Sequence, residues 1–170
     1  RIKNGEGRAE MDRINRILGH ETYQKYLARN EQAEMERRFC RHNMGHFLDV
    51  ARLAVILNVT ESYGVEKEQI YAAALLHDIG RWMQYEEGIP HEQASFQLAP
   101  EILEDCGFEE TERKVILQAI GDHRNMAVKE EKTLSGLLYR ADKYSRPCFA
   151  CPVEQACDWK QGKKNKMLVW

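Results

Sequence analysis

An imidazole and a carboxylate stand side by side in His77-Asp78, at the end of the apolar run Ala72-Ala73-Ala74-Leu75-Leu76. Nitrogen and oxygen donors together suit a first-row divalent ion. Adjacent residues on a helix point about 100° apart, so the two share an ion only near a helix terminus or with donors from other elements. Gly80 is placed for a left-handed helix cap. The chain has six histidines, at 20, 42, 46, 77, 91 and 123. His46, His91 and His123, like His77, fall at helix ends or beside apolar stripes, each on a different segment. Asp142 follows residues that should be buried, in Tyr139-Arg140-Ala141-Asp142-Lys143, and a buried carboxylate must be paired or bind a cation. Five or six such donors converging inside a helical bundle make a metal-site expectation. The plainer readings are a helix cap for His91, a loop histidine for His123 and a surface acid for Asp142. His42 lies one helical turn before His46 and shares its face; it reads first as structural and second as a substrate contact.

The cysteines are a second candidate chemistry. Cys148, Cys151 and Cys157 give C-x2-C-x5-C just after Asp142. Two thiolates at the first spacing can chelate one metal, and a structural zinc takes four ligands. Cys40 is the natural fourth, because its helix also carries His46. An iron–sulfur cluster would use the same four thiolates. The alternative is reduced thiols packed against the Pro152–Trp159 loop. Cys106, before Gly107, reads as packing. Five cysteines without an export signal argue against a disulfide framework.

The elements that must position these groups read as all-α. Only 4 Pro and 11 Gly interrupt 170 residues whose apolar positions recur at helical spacing. Residues 1–10 read as an expression remnant, with Met11 the natural start. Residues 11–38 form one or two polar helices packing on the same domain. A helix from Phe39 to Leu57 buries positions 47, 50, 51, 54, 55 and 57, and Tyr63-Gly64 breaks it before the helix ending at His77-Asp78. Residues 81–90 read as a loop, 91–105 as a helix that Pro100 splits or restarts. Glu109 to Ile120 points Val115, Ile116, Ala119 and Ile120 inward; 121–125 is a break. The last helix runs from Lys132 to Lys143, and residues 147–170 form a Cys-rich loop and basic tail. Lys plus Arg (25) nearly balances Asp plus Glu (27), so no global field points to nucleic acid or an acidic membrane. No apolar run approaches the roughly 18 residues of a bilayer span, and the expected location is the cytosol.

His46 followed by Val50-Ala51, then His77-Asp78, then Ala141-Asp142-Lys143 resembles the H…HD…D pattern of the HD phosphohydrolase superfamily, over about Cys40 to Arg146. The resemblance implies an all-α HD-domain helical bundle with its core at 39–146, and a catalytic divalent metal. His91 in Pro90-His91-Glu92-Gln93-Ala94 and His123 in Ala119-Ile120-Gly121-Asp122-His123 resemble the extra histidines of two-metal members. With Asn125-Met126 and Leu138-Tyr139-Arg140-Ala141-Asp142-Lys143, they are most similar to the HD-type symmetrical diadenosine-tetraphosphate hydrolase family. The chain departs from that family at Arg81, where lysine is usual, at Arg124, where a Thr-Thr-Gly stretch is usual, and in a shorter connection from Asp78 to His91. These departures bear on nucleotide contacts, not on the metal set.

On this resemblance one ion takes His46, His77, Asp78 and Asp142, and a second takes His91 and His123, with Asp78 bridging. Iron or manganese is expected first, with magnesium, cobalt or nickel also accommodated. The implied activity is hydrolysis of a phosphate ester or anhydride of a nucleotide-like small molecule by a metal-activated water. Asp78, Arg81 and Lys143 are the catalytic candidates; Arg81, His42, Arg124 and Arg146 would contact substrate phosphate, for which arginine's planar fork is suited. Two other functions use the same donors: a mixed-valent di-iron oxygenase of HD fold, and a nucleotide-binding module that does not turn over.

Overall fold

The computed structural model describes residues 11–170; the expression remnant expected at 1–10 lies outside them. The described residues form eight α-helices and no strand: α1 (Asp12–Gly19), α2 (Glu21–Ala33), α3 (Met44–Thr60), α4 (Lys67–Leu76), α5 (Arg81–Glu87), α6 (His91–Asp105), α7 (Glu110–Asp122) and α8 (Leu134–Tyr144). Short 3-10 turns occupy Met126–Glu130, Cys148–Ala150, Glu154–Ala156 and Gln161–Lys163. Among the described residues, no helix is long and apolar enough to cross a membrane.

Helix α4 is the axis. Its run from Ala72 to Leu76 is buried on every side, and the three alanines let α3, α7 and α8 approach closely. Phe47, Val50, Ala51, Ala54 and Leu57 of α3, Ile116, Ala119 and Ile120 of α7, and Leu137, Leu138 and Ala141 of α8 complete the core. Ile14, Ile17, Tyr23 and Leu27 add α1 and α2 to it. Arg13 ties α1 to two neighbours at once, through Glu68 of α4 (2.6 Å) and Glu112 of α7 (2.7 Å).

Several boundaries differ from the sequence reading. Helix α3 starts at Met44, not Phe39, because the Asn43 side chain caps it by accepting from the His46 backbone N–H at 3.1 Å. Residues 81–87 are a helix, not a loop, and the connection shrinks to Gly88-Ile89-Pro90. Trp82 anchors this helix, buried against Tyr26 and with the Arg29 guanidinium 3.3 Å above its ring. Helix α6 runs unbroken through Pro100. Val115 is exposed rather than inward. Gly80 has φ −91° and caps nothing in the left-handed region.

Candidate metal centre

The turn joining α4 to α5 presents the central residues. His77 closes α4 and Asp78 follows it, while Gly80 brings the chain against α6. A Cβ at Gly80 would lie 2.6 Å from the Ser95 backbone nitrogen and 2.7 Å from Ala94. Glycine is needed here for close approach, not for a special dihedral. Ser95 Oγ accepts from the Gly80 N–H at 3.0 Å. From the other side, Asn30 of α2 donates to the Asp78 carbonyl (2.9 Å) and accepts from the Trp82 N–H (2.8 Å). Asn30 is fully buried, so these backbone bonds lock the turn.

Around that turn stand two groups of donors, each with its ligand atoms within 4.8 Å of one another: His46, His77, Asp78 and Asp142, and Asp78, His91 and His123. Asp78 belongs to both. Its Oδ2 lies 3.2 Å from His77 Nε2 and 3.9 Å from His46 Nε2, and its Oδ1 lies 3.2 Å from His91 Nε2 and 3.5 Å from His123 Nε2. Asp142 Oδ1 closes the first group at 3.3 Å from His46 Nε2 and 3.7 Å from His77 Nε2.

The tautomers are set from behind. His77 Nδ1 donates to the Ala74 carbonyl and His123 Nδ1 to the Ile120 carbonyl, both at 2.7 Å and both three residues back along the helix. His91 Nδ1 donates to Gln84 Oε1 at 2.5 Å. Each bond turns Nε2 toward the group, the nitrogen a metal would take, on His77 after displacing the proton that Asp78 and Asp142 favour there. His77 Nε2, Asp78 Oδ1, His123 Nε2 and Asp142 Oδ1 are buried atoms with no hydrogen-bond partner. Buried polar atoms are rarely left so, and four converging on two points fit two cations.

The electrostatics agree. Burial strips the proton from His46, whose pKa falls to about 4, and from His91, which falls to about 2. Burial acts on His77 in the same direction, but Asp78 and Asp142 overcome it and raise its pKa to about 10. Burial disfavours the charged form of both carboxylates, yet each is held well below the usual carboxylate range, Asp78 chiefly by His77 and His42, and Asp142 chiefly by Lys143. The cluster favours positive charge between its acids.

The remaining expected residues border the same opening. A cavity of about 1270 Å³ is lined by His42, His46, Asp78, Arg81, His91, His123, Arg124, Asp142, Lys143 and Arg146. The Arg81 guanidinium lies against the His91 ring, 2.7 Å from Nδ1. Lys143 pairs with Asp142 Oδ2, and Arg146 donates to His46 Nε2 at 3.1 Å. Arg124 is half exposed beside Glu92. His42 is buried; its Nδ1 meets Glu34 Oε1 at 2.5 Å, and its Nε2 lies 3.7 Å from Asp78 Oδ2. Cys40, Cys148, Cys151 and Cys157 also line this cavity, but no cysteine belongs to either close donor group.

Sequence reading missed Glu34, Asn30 and Gln84. Glu34 is buried and accepts from the His42 ring, the His42 backbone N–H (2.6 Å) and the Tyr85 hydroxyl (2.7 Å). The only local signal for it is an acid in an otherwise solvated helix end.

A family model described as HD domain matches residues 43–146, more than half of the chain. The chain belongs to the HD-domain family. HD domains bind divalent metals and are generally hydrolases, and the two donor groups fall within the matched residues. The chain is also similar to an "Uncharacterized protein" of Clostridium beijerinckii, 47% identical over 160 residues that cover 94% of this chain and 100% of that one. No solved structure matches.

Proposed function

We propose that this HD-domain protein is a metal-dependent phosphohydrolase acting on a phosphate ester or anhydride of a nucleotide-like small molecule. The observation that carries the reading is Asp78, one carboxylate shared by two buried donor groups at the floor of a cation-lined cavity. His46, His77, Asp78 and Asp142 would hold one divalent ion and Asp78, His91 and His123 another, which when bound would supply Lewis-acid polarisation of a phosphoryl group and acidify water. The side chains do the rest. Arg81 and Arg146 are anchored next to a donor histidine each, so their positive charge is fixed before substrate arrives. Lys143 and Arg124 border the same opening. His42, fixed through Nδ1 by Glu34, lies in the cavity lining with its Nε2 3.7 Å from Asp78 Oδ2; burial holds its pKa below the ordinary histidine range, so Nε2 is left able to accept a proton there.

Within this class the sequence likeness favours a nucleotide carrying several phosphates, the substrate type of the symmetrical diadenosine-tetraphosphate hydrolases. Iron or manganese is the preferred ion pair, and a cytosolic location suits such a substrate. The test is phosphate release from a panel of nucleotides, dinucleoside polyphosphates and sugar phosphates, by anaerobically purified protein supplied with Fe²⁺, Mn²⁺, Co²⁺ or Ni²⁺. Release that vanishes in Asp78→Ala supports the reading. Oxygen consumption without phosphate release would move it to a di-iron oxygenase, and tight nucleotide binding without turnover to a sensing module.

A further inference from the structure

The segment 147–170 has no visible means of support from apolar burial. It contains three 3-10 turns of three residues each, and its one buried residue is Lys164. The hydrophobic core ends at Ala141. Ordering a residue costs roughly 1–2 kcal/mol, and a hydrogen bond returns about 0.5–1.5 kcal/mol net. The segment is nevertheless folded back on the bundle. Asn165 Nδ2 reaches the carbonyls of Lys143 (2.9 Å) and Arg146 (2.8 Å), and Lys164 Nζ donates to the Glu154 carbonyl at 2.8 Å. A stretch this poor in burial has much to gain from a cross-link or a metal.

Four thiols are at hand. Cys40, Cys148, Cys151 and Cys157 are free, half-buried and on the wall of one cavity, whereas Cys106 is buried in the core. Cys148 opens the first 3-10 turn and Cys151 ends it, its N–H donating to the Cys148 carbonyl at 3.2 Å. Cys157 ends the second turn in the same way. The chain before Cys148 lies against the chain after Cys40, since Arg146 donates to the Arg41 carbonyl at 3.5 Å. We infer that Cys40, Cys148, Cys151 and Cys157 bind one zinc ion, separate from the His/Asp centre, and that this ion fastens residues 147–165 as a wall of the active-site cavity. No three of these sulfurs lie within 4.8 Å of one another, so binding draws the two turns and the Cys40 segment together to the Zn–S distance of about 2.3 Å. Four thiolates around zinc carry a net charge of about −2, and Arg38, Arg41, Lys160 and Lys163 border the cavity to offset it.

The test uses the full chain, purified reduced. Cobalt(II) is expected to give a near-ultraviolet sulfur-to-cobalt charge-transfer band, which imidazole and carboxylate ligands do not produce. The band should be absent from a Cys148→Ser/Cys151→Ser variant and present in His77→Ala/Asp142→Ala, which loses the other centre. On the unmutated chain, one equivalent of zinc should bleach the band and protect Cys40, Cys148, Cys151 and Cys157 from alkylation, leaving Cys106 unchanged. That measurement stands whether or not a variant folds, and it is independent of any phosphohydrolase activity. The proposal is overturned by a missing band, by a band that survives the double serine variant, or by alkylation unaffected by zinc. Intact mass showing disulfides in the protein as isolated, or acid-labile sulfide in a coloured protein, would overturn it equally.

Discussion

At the scale of single residues, the centre has one indispensable atom pair, the two oxygens of Asp78. Each faces a different donor group, so Asp78→Ala removes a ligand from both at once. Metal content after dialysis is expected to fall to background, and turnover by about 10²–10³-fold or more. Arg81→Ala touches phosphate rather than metal on the proposed reading: metal content should be kept while KM rises or kcat falls. Elemental analysis beside kcat and KM separates the two, and an Arg81→Ala protein without metal would refute the division of roles. Glu34 carries a different prediction. Burial alone would raise its pKa, but the hydrogen bonds from the His42 ring and backbone and from the Tyr85 hydroxyl overcome it and hold it at about 2, against 4.5 ordinarily. A depressed carboxylate stabilises the fold above its unfolded pKa and loses that contribution as pH falls through the folded one. Stability should therefore decline from about pH 4.5 towards 2, by about 3 kcal/mol from this group. Glu34→Gln should remove that part of the slope in urea unfolding followed across pH, and parallel profiles for the two proteins would count against it.

At the scale of elements, the α4–α5 turn matters because three side chains pin it. Asn30 holds its backbone, Ser95 holds Gly80, and Trp82 docks the following helix. Gly80→Ala would push a methyl into the α6 backbone. Overpacking of this kind costs about 1–3 kcal/mol. Helix α6 carries His91, whereas His46 and Asp142 come from α3 and α8. The variant is therefore expected to melt lower and to lose occupancy at the Asp78–His91–His123 group before the other. Metal titration at rising concentration checks the order, and equal weakening of both groups would contradict it. The same turn shows where sequence reading succeeds and fails. Helices α3, α4, α7 and α8 were legible because a buried face needs apolar residues at 3.6 spacing, and α4 needs them all round. Helix α5 was not. Its seven residues lie between two glycines, and what holds them helical, Trp82 against Tyr26 and Arg29, comes from a helix some fifty residues earlier.

At the scale of the whole molecule, the donors could be read from the chain because imidazoles are scarce and their carriers are core helices. Six positions spread from 46 to 142 meet because α3, α4, α6, α7 and α8 pack as one body. The residues behind them, Glu34, Asn30 and Gln84, are common polar types whose work depends on neighbours up to 52 positions away, so no local pattern marks them. The convergence also has a thermodynamic consequence. Four buried ligand atoms without partners are a standing cost to the apo fold, and an ion that binds only the assembled site stabilises it by mass action. At free metal about 100 times its dissociation constant, the gain is about 2.7 kcal/mol per site. For a chain of this size each kcal/mol moves the melting temperature by about 2–4 °C, so saturating Mn²⁺ should raise Tm by roughly 5–10 °C for one site and more for two. Because the ligands come from helices across the bundle, the shift should appear as one cooperative transition, not as a separate early step. Asp78→Ala should abolish it, and Asp142→Ala should leave the share that belongs to the His91–His123 side. A melting temperature indifferent to metal in the unmutated chain would mean that the two groups, however close, do not act as ligands.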